Sequence, residues 1–204
     1  MNGELSLLKF ACLDTETTGL YATQGGKICE LAVSVSQGGK VIEEFSTLLN
    51  PGVPMLPEVI AIHGITNEMV KNAPTFADIL PRVISLFDGC VLVAHNADFD
   101  LSFLKAEFEA CGLNFPPYPV IDTLKLARKS GLFSSNRLGN IAQTLGISCE
   151  GWHRAMADTK MGEKIFYYFL NTLHQQGVHT LEQLALFEQK RWKEAACMLK
   201  ENVL

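Results

Sequence analysis

The sequence predicts an α/β domain built on a mixed β-sheet, and three observations carry that prediction. Three β-rich runs come first, the second and third separated by a glycine pair. Short apolar runs then alternate with helix-patterned segments. The 204-residue chain is 48% hydrophobic and 19% charged, a balance that packs one substantial domain with room for a short appendage.

Each element has its own signal. "LLKFACLD", residues 7–14, becomes apolar throughout, as a central strand covered on both faces does. "KICELAVSVSQ" and "KVIEEFSTLL", joined through Gly38 and Gly39, form a hairpin. These are the three N-terminal strands, with antiparallel pairing. The proline-bearing stretch over residues 50–70 wraps as loops and short helical turns. "TFADILPRVISLF" has helical spacing and a cap in Thr75, and Pro81 is expected to kink or divide it. "CVLVAH" is a buried strand, and "FDLSFLKAEFEACG" is a helix closed by Gly112. "VIDTLKLARKSG" is strand-like and then helical, with Asp122 as the cap. A short helix stops near Gly146, and "ADTKMGEKIFYYFLNTLHQQG" is a long amphipathic one. "TLEQLALFEQKRWKEAACMLKEN" is another, opened by a capping box of Thr180 and Gln183.

Composition narrows the function. A net charge of −5 is not that of a surface coating nucleic acid by bulk electrostatics, so a polyanion must be gripped locally, by metal ions or a few basic groups. Six scattered cysteines without a C-x-x-C pair argue against a zinc cluster and a disulfide framework, and fit a reducing cytoplasm. Neither a secretory leader nor a membrane anchor is legible.

In sheets of this kind ligands bind beyond the carboxyl ends of strands, where the acids of interest sit. In "LDTETTG", Asp14 and Glu16 are two apart and share a face if extension persists; alone, the pair reads first as a solvated strand end. In "HNADFD" two acids compete. Asp98 heads the polar row Ser102, Lys105, Glu109 and should face water, whereas Asp100 lies beside Phe103 and Leu104 at the border of the apolar face. In "HRAMAD", His153 and Asp158 would point about 140° apart on one helix, so they converge only with His153 in the loop before it; Gly151 supplies such a loop. Four acids in one cleft would repel one another, and a divalent cation removes that conflict. All-oxygen ligation suits Mg²⁺ or Mn²⁺, and two ions about 4 Å apart clamp a phosphodiester while a neutral histidine takes the proton of water.

The three stretches are similar, in order and spacing, to the exonuclease motifs of the DEDD superfamily, and His153 resembles the DEDDh branch. That branch includes the proofreading epsilon subunit of bacterial DNA polymerase III, the exonuclease domain of Gram-positive replicative polymerases, and RNA-trimming enzymes. The resemblance covers roughly residues 8 to 172. It implies a ribonuclease H-like sheet flanked by helices, two Mg²⁺ or Mn²⁺ ions, and stepwise 3′–5′ hydrolysis to nucleoside 5′-monophosphates. It makes Asp14, Glu16, Asp100 and Asp158 metal ligands and His153 the general base. It also places Thr15, Thr17, Gly19, Ile62, His63, Asn96 and Phe99 at the terminal nucleotide, although Ile62 and Phe99 equally fit core packing. No catalytic position departs from the pattern, which disfavours a non-catalytic binding module.

The expected organisation is an exonuclease domain over residues 1–175 and a helical extension over residues 176–204, packed on or adjoining it. The expected substrate is a single-stranded or frayed DNA 3′ end in proofreading or repair, with trimming of RNA ends or short oligoribonucleotides as the alternative. Lys125, Arg128, Lys129 and Arg137 either steer the incoming strand or form a solvated helix face. "QLALF", residues 183–187, resembles a peptide that docks on the sliding clamp, but the same residues fit an amphipathic helix packed on the domain. A polymerase subunit and a second copy of the chain are the other expected partners, with no membrane and a cytoplasmic location.

Overall fold

The computed structural model describes residues 4–189. Five strands form one sheet: β1 (Lys9–Thr17), β2 (Ile28–Gln37), β3 (Lys40–Leu48), β4 (Cys90–Ala94) and β5 (Val120–Asp122). Their spatial order is β3-β2-β1-β4-β5. The β1–β2 and β2–β3 pairs are antiparallel, whereas β1–β4 and β4–β5 are parallel. The parallel half requires crossovers, and the helical segments between strands supply them. The expected mixed sheet is therefore the observed one.

Strand β1 is central and extends further than its apolar run. It stays paired with β2 through Glu16 and reaches Thr17 after a bulge. Asp14 and Glu16 consequently lie on one continuous strand, two residues apart, with their side chains toward one face.

Two layers of helix cover the sheet. On one face α3 (Phe76–Phe87) and α4 (Ala97–Ala110) pack Val83, Leu86, Phe103 and Phe108 against Leu13, Leu31 and Leu92. The other face is covered by α5 (Thr123–Ser130), α6 (Leu138–Thr144) and the long α7 (Ala155–His174), which bring Leu126, Ile141, Ile165, Phe166 and Phe169 onto Phe10, Val91 and Val93. Alternate residues of β1 therefore feed two different cores, which explains its apolar run. The loop-rich stretch after β3 holds two short helices, α1 (Pro57–His63) and α2 (Asn67–Val70).

Pro81 does not divide α3, which runs through as one element. In its second turn the proline forfeits a single ladder bond. The reciprocal Thr75–Asp78 capping box and the burial of five later residues of α3 offset that loss.

The last described helix, α8 (Leu181–Gln189), opens with the expected box: Gln183 N–H donates to Thr180 Oγ1 at 3.3 Å, and Thr180 N–H donates to Gln183 Oε1 at 3.0 Å. Leu184 and Phe187 are each 1% exposed within the α7-side core. The stretch that resembles a clamp-docking peptide thus has its capping glutamine engaged and Leu184 and Phe187 folded inward, while Leu186 is 53% exposed. The remainder of the expected C-terminal helix lies outside the described residues. No helix among the described residues is long and apolar enough to cross a membrane.

Candidate active site

The carboxylates gather where β1 ends. Asp14 and Glu16 come from β1, and Asp158 from the first turns of α7; one ligand oxygen from each lies within 4.8 Å of the others. Asp158 belongs there because α7 begins at Ala155, leaving His153 in the preceding loop. Oδ1 of Asp158 is buried without a hydrogen-bond partner. An orphaned carboxylate oxygen facing two further carboxylates is costly unless a cation answers it.

Asp100 approaches from α4. It is 3% exposed, whereas Asp98, two residues earlier, is exposed and pairs with Lys125 at 3.1 Å. Thr15 donates to Asp100 Oδ1 from both its backbone N–H (3.0 Å) and its hydroxyl (2.7 Å). Both bonds use one oxygen, so Asp100 is tied to β1 between Asp14 and Glu16 while its second oxygen carries neither bond.

Burial and mutual repulsion raise every one of these carboxyls. Asp14 is pushed well above the usual carboxylate range, by desolvation first and then by Asp100, Glu16, Asp158 and Glu30. Glu16 rises to about 8 through burial and then through Asp158, Glu30 and Asp100, with Arg154 opposing. Burial lifts Asp100 to about 7 against the Thr15 bonds, and lifts Asp158 to about 6 against the His153 backbone. Such a set stores repulsion that a divalent cation relieves.

The two non-glycine residues with left-handed backbone among the described residues stand at the entries of α4 and α7, the helices that carry Asp100 and Asp158: Asn96, at φ 71°, and His153, at φ 67°. Asn96 caps α4 with its side chain exposed, and its N–H donates to Asp122 Oδ1 at 3.1 Å. The same Asp122 oxygen accepts from Leu124 N–H and Lys125 N–H, so it caps α5 as expected and also holds the Asn96 turn. The exposed His153 ring stacks on Trp152.

The remaining expected residues divide. Thr15 and Thr17 are buried, and the Thr17 hydroxyl donates to Gly19 O at 2.7 Å. Gly19 borders a cleft of about 470 Å³ that Thr18, Leu20, Tyr21, Val53 and Leu56 also line. Ile62 is 56% exposed at the end of α1, so core packing does not account for it. Phe99 is half-buried against Phe103 and the main core. His63 is buried, and Nδ1 accepts from Ile65 N–H at 3.0 Å, which places its proton on Nε2. Burial lowers its pKa and keeps it neutral.

The residue types alone did not announce Glu30 and Arg154. Glu30 is 3% exposed on β2, directly opposite Glu16 in the ladder. Its carboxylate accepts from Arg154 Nη2 (2.7 Å) and Nε (3.2 Å), and from Ala155 N–H (3.0 Å) at the start of α7. A lone acid inside the apolar run "KICELAVSV" was the available signal, because a buried charge requires a partner.

Fold and acids together define a carboxylate-lined α/β domain of the kind that holds divalent cations. Residues 11–166 match the exonuclease family of the RNase T type, and the chain belongs to that family. It is 40% identical over 181 residues to a DNA polymerase III subunit epsilon-like protein of Rhodobacter capsulatus, covering 86% of this chain and 26% of that one. It is 34% identical to the 3′-5′ exonuclease DinG of Bacillus subtilis, over 89% of this chain and 20% of that one. The chain thus spans between a fifth and a third of the length of these curated relatives. Among solved structures, exonuclease X in complex with 5′-overhanging duplex DNA superposes with a TM-score of 0.66 at 29% identity, over 81% of this chain and 92% of that one. The nuclease domain of 3′hExo, a DEDDh family member bound to rAMP, shares the fold with a TM-score of 0.71 at 20% identity, over 83% and 95%. The chain is thus a domain of the exonuclease family whose carboxylates form a cluster that could hold a metal ion.

Proposed function

We propose that this domain removes nucleotides one at a time from the 3′ end of single-stranded or frayed DNA, releasing nucleoside 5′-monophosphates in proofreading or repair. The observation that carries the reading is the meeting of Asp14, Glu16 and Asp158 around an unpartnered, buried Asp158 oxygen. Asp100, tied to Thr15, completes the acidic set. These four residues would hold two Mg²⁺ or Mn²⁺ ions, since carboxylate oxygens suit hard cations. When bound, the ions supply charge neutralisation at the scissile phosphate and lower the pKa of water.

The chain's own groups do the rest. His153 takes the proton of the attacking water, and its place in the loop before α7 leaves the ring able to reach solvent. Thr15 holds Asp100 in register with β1. Gly19, which borders the cleft at the strand end, seats the terminal nucleotide together with Thr17, Ile62, His63, Asn96 and Phe99. We assign the exonuclease unit to residues 1–175 and an extension to residues 176–204, supported by the burial of Leu184 and Phe187 in its described part, α8. The names of the curated relatives support a replication or repair setting with a polymerase subunit as partner, a second copy of the chain being the alternative.

A parallel digest of 5′-labelled single-stranded DNA, RNA and mismatched duplex with Mg²⁺ or Mn²⁺ tests the proposal. A ladder shortening from the 3′ end on DNA is the expected result. Faster trimming of RNA would transfer the assignment to the ribonuclease alternative, which the rAMP-bound neighbour supports. Internal cuts or no cleavage would overturn both.

A further inference from the structure

We infer that Trp152, seated against Gly139, is a positioning residue that holds the His153 imidazole in place. The inference rests on the assignment of His153 as general base. The two rings stack with centroids 4.8 Å apart and planes 14° from parallel. The far edge of the indole lies on α6 where that helix has no side chain. A Cβ at position 139 would fall 2.4 Å from Trp152 Cη2 and 2.5 Å from Cζ2, so any residue but glycine would displace the ring.

The stack is not explained by burial of the two rings. Trp152 remains 44% exposed and His153 is exposed. Its effect falls on the freedom of the imidazole. The His153 backbone is already set at φ 67°, and the next residue, Arg154, is fixed to β2 by the Glu30 carboxylate. What remains free is the side chain, and an exposed imidazole would otherwise sample all its rotamers. Trp152 removes part of that freedom from one face of the ring and leaves the other face open. A proton acceptor that is off by about 1 Å can lose about 10²-fold in rate, so such a support has a measurable consequence.

The test is steady-state hydrolysis of a 5′-labelled single-stranded oligonucleotide with Mn²⁺, alongside thermal melting. The variants are Trp152→Ala, Trp152→Phe, Gly139→Ala, His153→Ala and the Trp152→Ala/His153→Ala pair. Trp152→Ala should lower kcat about tenfold while KM stays within about twofold. Trp152→Phe, which keeps a stacking face, should recover most of the loss. Gly139→Ala should reproduce the kcat loss without deleting the indole, and it stands in should Trp152→Ala fail to fold. In the His153→Ala background, Trp152→Ala should cost less than about twofold more, because the support has nothing left to position. An unchanged kcat, an effect confined to KM, or the full loss persisting without His153 would each overturn the inference. If His153→Ala alone leaves kcat unchanged, the general-base assignment falls first, a result distinguishable from failure of the stack.

Discussion

Glu30 stands directly across the β1–β2 ladder from Glu16, and Arg154 holds its carboxylate by two hydrogen bonds. Like charges opposed in a ladder are destabilising, and here the arginine offsets one of them while its neighbour His153 is brought beside the cluster. Arg154→Ala would leave Glu30 buried and uncompensated. The expected cost in urea denaturation is about 1–3 kcal/mol, kept below that of a fully buried pair by the solvent access of Arg154. Glu30→Gln should cost less, since the neutral amide still accepts from Ala155 N–H.

The raised carboxyls fix the direction of pH dependence in metal-free protein. Glu16, Asp100 and Asp158 sit at about 8, 7 and 6 in the fold, above their ordinary values of 4.5, 3.8 and 3.8. The native state therefore binds more protons than the unfolded chain, and stability falls as pH rises through this window. The thermal midpoint in EDTA should be lower at pH 8 than at pH 6. Mn²⁺ should raise it more at pH 8, where the ligands bind without first releasing protons. A midpoint in EDTA that rises from pH 6 to pH 8 would contradict this.

Asp14→Ala or Asp158→Ala should abolish hydrolysis at saturating Mn²⁺ while the protein stays folded, by circular dichroism. Removing one of several repelling acids should leave the metal-free midpoint unchanged or higher, and should shrink the Mn²⁺-induced shift. Near-normal turnover in either variant would remove that residue from the site.

Phe187→Ala should behave as a core deletion. Its ring is 1% exposed in the α7-side cluster, so the expected loss is about 3–5 kcal/mol by chemical denaturation. A change below about 0.5 kcal/mol would instead mean that α8 is held only loosely on the domain.

Much of the fold was legible because its cues are local. The glycine pair between β2 and β3, the Thr75 and Thr180 caps, and the apolar runs of β1 and β4 each depend on a few neighbouring residues. Asp98 and Asp100 were separable by helical period alone, since one joins a polar row and the other borders an apolar face. Pro81 misled for the complementary reason. A propensity counted residue by residue omits the cap and the buried face that carry the helix through.

Long-range partnerships were not legible. Nothing within nine residues of Glu30 specifies Arg154, 124 positions away, or places Glu16 opposite it. "QLALF" has one pattern with two readings, and spacing could not show that Leu184 and Phe187 pack into the α7-side core while Leu186 stays exposed. Nor could spacing reveal that Gly139 seats Trp152.

By itself, then, the sequence determined the mixed sheet, the order of its elements, and the acids that stand at strand ends and helix starts, because those follow from period and local chemistry. Only the tertiary structure decided how far β1 stays extended, which oxygens meet within 4.8 Å, and what anchors the His153 loop. Those outcomes depend on ladder register and helix packing, where residues far apart in the chain compete for the same space and the same charge.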